Sequence, residues 1–193
     1  MAEFVRAITA QMRAAGGDGE KRVAGTGIVY DEWTELWPGY RERILKGAVK
    51  RAATVKSYFN HNPNNVLSTT DSNPALELND SDKGLDYSSP IPPTSYGKDL
   101  EINLERGNVK GASFAFDIPK KGDRMWEDED GIVHREISSL TLYEIGPVTD
   151  PAYIQTTAQM RSKEAVDQWR AQQAPVNRLL RERQQKLVEA MID

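Results

Sequence analysis

The chain has 193 residues, with 25 Lys and Arg against 29 Asp and Glu (net charge -4), 38% hydrophobic residues, 14 Gly, 10 Pro and no Cys. This length suits one hydrophobic core plus an appendage, and the acidic balance lacks the basic footprint of a dedicated nucleic-acid binder. Without cysteine, disulfide scaffolds, Cys-ligated zinc, iron-sulfur clusters and thiol catalysis are excluded; without an apolar run of roughly 18 to 20 residues or a signal-peptide core, a cytoplasmic, non-membrane protein is expected.

In chain order, residues 1 to 13 and 22 to 30 read as strands around the glycine-rich loop Gly16, Gly17, Asp18, Gly19. From Pro38 the residues Tyr40, Ile44, Leu45, Ala48, Val49 and Ala52 recur at helical spacing, which predicts an amphipathic helix over 38 to 53 despite Gly47. Short alternating runs at 55 to 59, 76 to 80 and 84 to 91, punctuated by Asn, Asp, Ser and Pro, predict strands. Residues 92 to 107 hold a second helix, although Leu100, Ile102 and Leu104 also fit a strand period. The segments 109 to 118 and 132 to 148 are rich in β-branched and aromatic residues and predict strands, with KKGDRMWEDEDG between them as a charged loop. The glycine-free tail from Ser162 predicts two helices divided by Pro175. In the second, Val176, Leu179, Leu180, Leu187, Val188 and Met191 form a stripe for packing on the body or on another chain.

Several familiar motifs fail on spacing. WEDEDG would place Trp126 and Ile137 at the first and twelfth positions of a calcium loop, so it is a solvated acidic loop. GTG at 25 to 27 lacks the glycines and helix of a dinucleotide turn, and no P-loop lysine motif occurs. The 2 histidines, His61 and His134, lack the one-turn partner of a helical zinc site. No metal or cofactor is expected.

GASFAF at 111 to 116 is more informative. Strand alternation puts Phe114 and Phe116 on one face and Ser113 with Ala115 on the other, leaving room beside the hydroxyl for a substrate backbone. Ala115 in place of the second glycine excludes a nucleophile elbow. A strand serine is ordinarily structural, so Ser113 needs a base. His61, entering an Asn-rich turn after an apolar strand, can cap that turn or deprotonate Ser113 if the fold unites them. A third group must then hold the ring, and Glu144 and His134 are the candidates.

The ordered motifs ERILKGAV (42 to 49), NHNPNNVLS (60 to 68), DKGLDY (82 to 87), GASFAF (111 to 116) and LYEIGPVTDPAY (142 to 153) resemble the tailed-phage prohead protease family, from about Gly25 to Arg161. These serine endopeptidases mature procapsids and are related in fold to the herpesvirus assemblins. The resemblance implies Ser113 as nucleophile, His61 as general base and Glu144 as the group orienting His61, with His134 as an assemblin-like Ser-His-His alternative. A carboxylate stabilises an imidazolium better than a neutral imidazole does, which favours Glu144. Asn62, Ala115 and Gly146 stand where aspartate, glycine and serine are common in the family.

The expected architecture is α+β and β-dominated: a small partly closed barrel surrounded by helices over 1 to 161, with a helical C-terminal tail over 162 to 193. The resemblance further implies a soluble enzyme inside the immature procapsid of a host cell. Its expected partners are scaffold and the amino-terminal extension of the major capsid protein as substrates, and self-cleavage in the tail and a homodimer are expected as well. The competing readings are a non-catalytic capsid assembly module on the same fold and a serine esterase.

Overall fold

The computed structural model describes residues 21 to 150 and 163 to 174, Leu179 and Arg183, and the backbone of strands 3 to 9 and 13 to 15. By its contacts the chain divides into two compact units, Met1–Ala158 and Gln159–Asp193.

The first unit is β-dominated. Its strands are β1 (Glu3–Thr9), β2 (Arg13–Ala15), β3 (Arg22–Val29), β4 (Thr34–Trp37), β5 (Tyr40–Ile44), β6 (Val49–Tyr58) and β7 (Val66–Thr69), then β8 (Glu77–Asp80), β9 (Gly84–Pro90), β10 (Gly111–Asp117), β11 (Asp123–Glu127), β12 (Val133–Ile137) and β13 (Leu140–Val148). They form three sheets, ordered β1-β10-β13-β6-β7, β11-β12-β5-β4 and β2-β3-β9-β8. None of the three closes on itself, so the partly closed barrel is not seen; the α+β class with strands predominating is. One helix, α1 (Ser95–Glu105), follows β9, with the Thr94 hydroxyl capping it by accepting from the Gly97 N–H at 3.2 Å.

The main core joins all three sheets. Phe114, Phe116, Leu142 and Ile145 come from the five-stranded sheet, Ile28, Leu85 and Tyr87 from the β3/β9 sheet, and Ile44 and Ile137 from the base of the third. A second cluster of Val23, Phe59, Leu67, Ile91, Leu100 and Val109 lies under α1. Each sheet therefore buries one face against the others, which turns strand alternation into a fixed register.

Two expectations need correction. The predicted helix over 38 to 53 is two strands, β5 and the start of β6. Gly39 (φ +86°) and Gly47 (φ +80°) occupy left-handed turn positions at either end of β5, and these backbone angles cut the segment into pieces too short for a helix. Within β5, Tyr40, Glu42 and Ile44 point inward, with Glu42 buried because the Tyr40 hydroxyl donates to it at 3.0 Å and Arg135 pairs with it at 3.5 Å. The apparent helical spacing arose because a buried position carries a glutamate.

The charged loop at 120 to 131 is also wrong in part, because its centre is β11. Arg124 on β11 and Arg43 on β5 both donate to Glu136 on the strand between them, Arg124 Nε at 2.9 Å and Arg43 Nε at 2.8 Å. Arg135 Nε donates to Asp123 at 2.6 Å. Cross-strand ion pairs thus supply what apolar alternation does not.

In the second unit, residues 163 to 174 form a helix, α2, as predicted up to Pro175. Leu179 and Arg183 are helical, and the rest of the expected second tail helix, with its apolar stripe, lies outside the described residues. The opening loop at 16 to 19 lies outside them too. Among the described residues no helix is long and apolar enough to cross a membrane.

The Glu136 carboxyl is held below the usual glutamate range by its hydrogen bond from Arg43 and then by the nearby Arg43 and Arg124 charges. A depressed carboxylate contributes stability at neutral pH, and that contribution disappears as pH falls through its folded-state pKa. Glu136→Gln is expected to lower the unfolding midpoint at pH 7. The gap to wild type narrows as the pH drops below about 4, where free glutamate protonates. Thermal unfolding of both proteins across pH 2.5 to 7, with proportionally constant buffer strength, checks this.

Candidate active site

The five-stranded sheet assembles the site. In the antiparallel pairing of β10 with β13, Ser113 lies opposite Gly146 and Ala115 opposite Glu144. Opposed residues share a face, so Ser113 and Glu144 project from the same side as diagonal neighbours. Phe114, paired with Ile145, points the other way into the main core. The alternation expected for GASFAF therefore holds: the aromatic side chains anchor the strand and the hydroxyl is left on the opposite face.

His61 reaches this face from the turn after β6. Phe59 is buried in the cluster beneath α1, and the chain then passes through Asn60 (φ +54°) and His61 (φ +56°), two successive left-handed residues. Asn and His are among the residue types that tolerate this region best, at a cost of order 1 to 3 kcal/mol each that the surroundings must offset. The turn closes with backbone bonds from Phe59 N to Asn65 O (3.1 Å), Asn62 N to Phe59 O (3.2 Å) and Asn65 N to Asn62 O (2.8 Å).

The outcome is a continuous hydrogen-bonded chain of three side chains. His61 Nε2 lies 2.6 Å from Ser113 Oγ, and His61 Nδ1 lies 2.8 Å from Glu144 Oε1. In the tautomer protonated at Nδ1, the ring donates to the Glu144 carboxylate and Nε2 accepts from the serine hydroxyl. Side chains of His61 and Glu144 retain 20% and 13% exposure, while Ser113 is fully buried. Such an arrangement can raise the nucleophilicity of a hydroxyl: the ring takes the serine proton and the carboxylate stabilises the resulting imidazolium.

His134 is elsewhere. It sits on β12, in the β11-β12-β5-β4 sheet, where Nε2 lies 2.7 Å from Asp128 Oδ2. Its ring stacks on Trp126 with centroids 5.2 Å apart and meets the edge of Trp33 at 5.1 Å. Asp128 is held below the usual carboxylate range, first by its bond from His134 and next by the Ile132 backbone N–H. Of the four residues singled out in the sequence, three are brought together and His134 is not.

Asn60 escaped the sequence reading. Its Oδ1 accepts from Thr149 N at 2.9 Å and from the Thr149 hydroxyl at 3.3 Å, and its own N–H donates to Pro147 O at 3.1 Å. The signal that could have found it is its place immediately before the histidine in an Asn-rich turn; its side-chain bonds reach Thr149, 89 positions away, and no local pattern points to them.

The model of the caudovirus prohead serine protease family matches residues 8 to 169. The solved structure of the bacteriophage T4 capsid assembly protease aligns with a TM-score of 0.50 and 9% sequence identity, covering 77% of this chain and 98% of that one, a likeness of fold. No curated protein sequence matches the chain.

Of the positions where the resemblance implies another residue, Asn62 has no structural explanation and Gly146 has one. Asn62 Oδ1 accepts from Asn64 N at 3.0 Å, a bond an aspartate would make equally well. At 146 a side chain does not fit: a Cβ there would lie 2.3 Å from Tyr58 O and 3.1 Å from Tyr58 N. The absence of a Cβ lets the end of β6 run close against β13, and that approach delivers the His61 turn to the sheet. Gly146→Ala is therefore expected to destabilise the fold by about 1 to 3 kcal/mol, as overpacking against backbone does. Urea unfolding, read as a lower midpoint at unchanged slope, measures it.

Proposed function

The chain belongs to the caudovirus prohead serine protease family, and on that premise we propose that it is a serine endopeptidase acting inside the immature phage capsid on scaffold, on the amino-terminal extension of the major capsid protein, or on both. Ser113 is the nucleophile, His61 the general base and Glu144 the carboxylate that orients the ring. The observation that carries this reading is the unbroken chain from Ser113 Oγ through His61 to Glu144, with links of 2.6 and 2.8 Å.

Attack of Ser113 Oγ on a peptide carbonyl transfers its proton to His61 Nε2 and generates a tetrahedral oxyanion. His61 then gives that proton to the departing amine, leaving an acyl-enzyme on Ser113. Water enters next, deprotonated by the same nitrogen, and releases the carboxylic acid with the serine restored. Throughout, Glu144 favours the charged ring. Nothing in this cycle calls on a cofactor.

The protease domain covers 1 to 161, and the tail over 162 to 193 serves self-cleavage or association into a homodimer. Full burial of Ser113 means that a peptide reaches Oγ only once the site opens. The same burial favours the second reading, a non-catalytic assembly module that keeps the triad as a structural network.

The test is incubation of the purified chain with and without major capsid protein and scaffold, followed by intact mass. Wild type is expected to release defined fragments. Ser113→Ala should lose about 10⁶ in kcat, the cost of deleting a triad member in another serine protease, and Glu144→Gln about 10⁴, the cost of a carboxylate-to-amide change at the equivalent role. His134→Ala should cleave at the wild-type rate. Equal fragment release by wild type and Ser113→Ala contradicts the reading. A silent Glu144→Gln beside an inactive His134→Ala moves the third role to His134.

A further inference from the structure

The turn carrying His61 has no regular secondary structure of its own, and both its pivotal residues have left-handed backbone. A histidine on such a turn would sample several orientations unless something outside the turn fixed it. Besides the bonds of the ring itself to Ser113 and Glu144, the tie of the turn to the sheet comes from Asn60. Its main-chain N–H donates to Pro147 O at 3.1 Å and its Oδ1 accepts from Thr149 N at 2.9 Å and from the Thr149 hydroxyl at 3.3 Å. All of these partners lie on, or directly after, the last residues of β13. That strand also bears Glu144, and it pairs Gly146 with Ser113.

From this we propose that Asn60 is a positioning residue for the proteolytic reaction: its side-chain oxygen ties the base to the strand that carries the orienting carboxylate and aligns the nucleophile. The inference rests on the proteolytic reading of the site. Asn60 touches neither Ser113 nor any reacting atom, and its effect runs through His61. A displacement of about 1 Å at a reacting group costs on the order of 10²-fold in rate, so the anchor acts mainly on kcat and leaves substrate binding alone.

The backbone angle and the acceptor are separable by substitution. Asn60→Gly keeps the left-handed conformation without steric cost but lacks the oxygen. Asn60→Asp keeps both an acceptor and a residue type that tolerates φ near +54°. In the full chain, Asn60→Gly is expected to lose on the order of 10²-fold in kcat with KM within about twofold. Asn60→Asp should recover most of that loss.

A second readout does not depend on turnover. With only 2 histidines in the chain, the ¹⁵N-labelled imidazoles of the Ser113→Ala protein give an assignable long-range ¹H–¹⁵N spectrum, His134→Ala identifying the other ring. Asn60→Gly should shift or broaden the His61 signals alone, and Asn60→Asp should restore them. The proposal is overturned if Asn60→Gly, added to Ser113→Ala, leaves the His61 spectrum of the Ser113→Ala protein unchanged, whether or not kcat falls in the active enzyme. If wild type shows no proteolysis at all, the proteolytic reading fails while the ring spectrum still decides whether Asn60 sets the imidazole.

Discussion

One strand, β13, is the straightedge against which the site is drawn. Its hydrogen bonds to β10 set Ser113 opposite Gly146, its own sequence supplies Glu144, and its parallel pairing with β6 brings the end of that strand, and so His61, across the sheet. Ser113 and Glu144 are separated from His61 by 52 and 83 positions in the chain, and no local turn could unite them. Backbone ladders hold registration to a fraction of an ångström, which is the tolerance that a proton-transfer chain demands. The side-chain bonds at 2.6 and 2.8 Å follow from that registration.

The same dependence explains why glycine at 146 and left-handed backbone at 60 and 61 coexist. Close approach of β6 to β13 requires that nothing project from 146, since Tyr58 O occupies the space a Cβ would take. Having come so close, the chain must turn sharply to put an imidazole over the diagonal between Ser113 and Glu144, and positive φ at two residues makes the turn tight enough. The core on the opposite face, with Phe114, Phe116, Leu142 and Ile145 all essentially buried, holds the two strands rigid under this load. Packing on one face thus positions chemistry on the other.

Much of this was legible in the sequence where burial and alternation coincide. The strand character of 109 to 118 and 132 to 148 declared itself because Phe114, Phe116, Leu140, Leu142 and Ile145 are both apolar and inward-facing, although 132 to 148, read as one segment, is two strands, β12 and β13, in different sheets. Position 42 broke the rule: a buried glutamate paired with Arg135 made a strand look like the polar side of a helix. β11 was hidden for the converse reason, since its cohesion comes from Arg124 and Asp123 reaching charges on β12. The scarcity of histidine singled out His61, and the GASFAF pattern together with the family resemblance singled out Ser113, as the proposed base and nucleophile. The choice between Glu144 and His134 depended on which sheet each strand joins, a long-range pairing that residue types do not encode. Asn60 was missed because its partners, Pro147 and Thr149, are remote in the chain.

The measurement that bears most directly on the central claim is the reaction of the full chain with a small fluorophosphonate, quantified by intact mass and located by peptide mapping. A working relay from Ser113 through His61 predicts a single adduct on Ser113 whose rate of formation collapses in His61→Ala. No adduct on wild type, or one that forms equally fast without the imidazole, would show that the three side chains are bonded to one another without activating the serine.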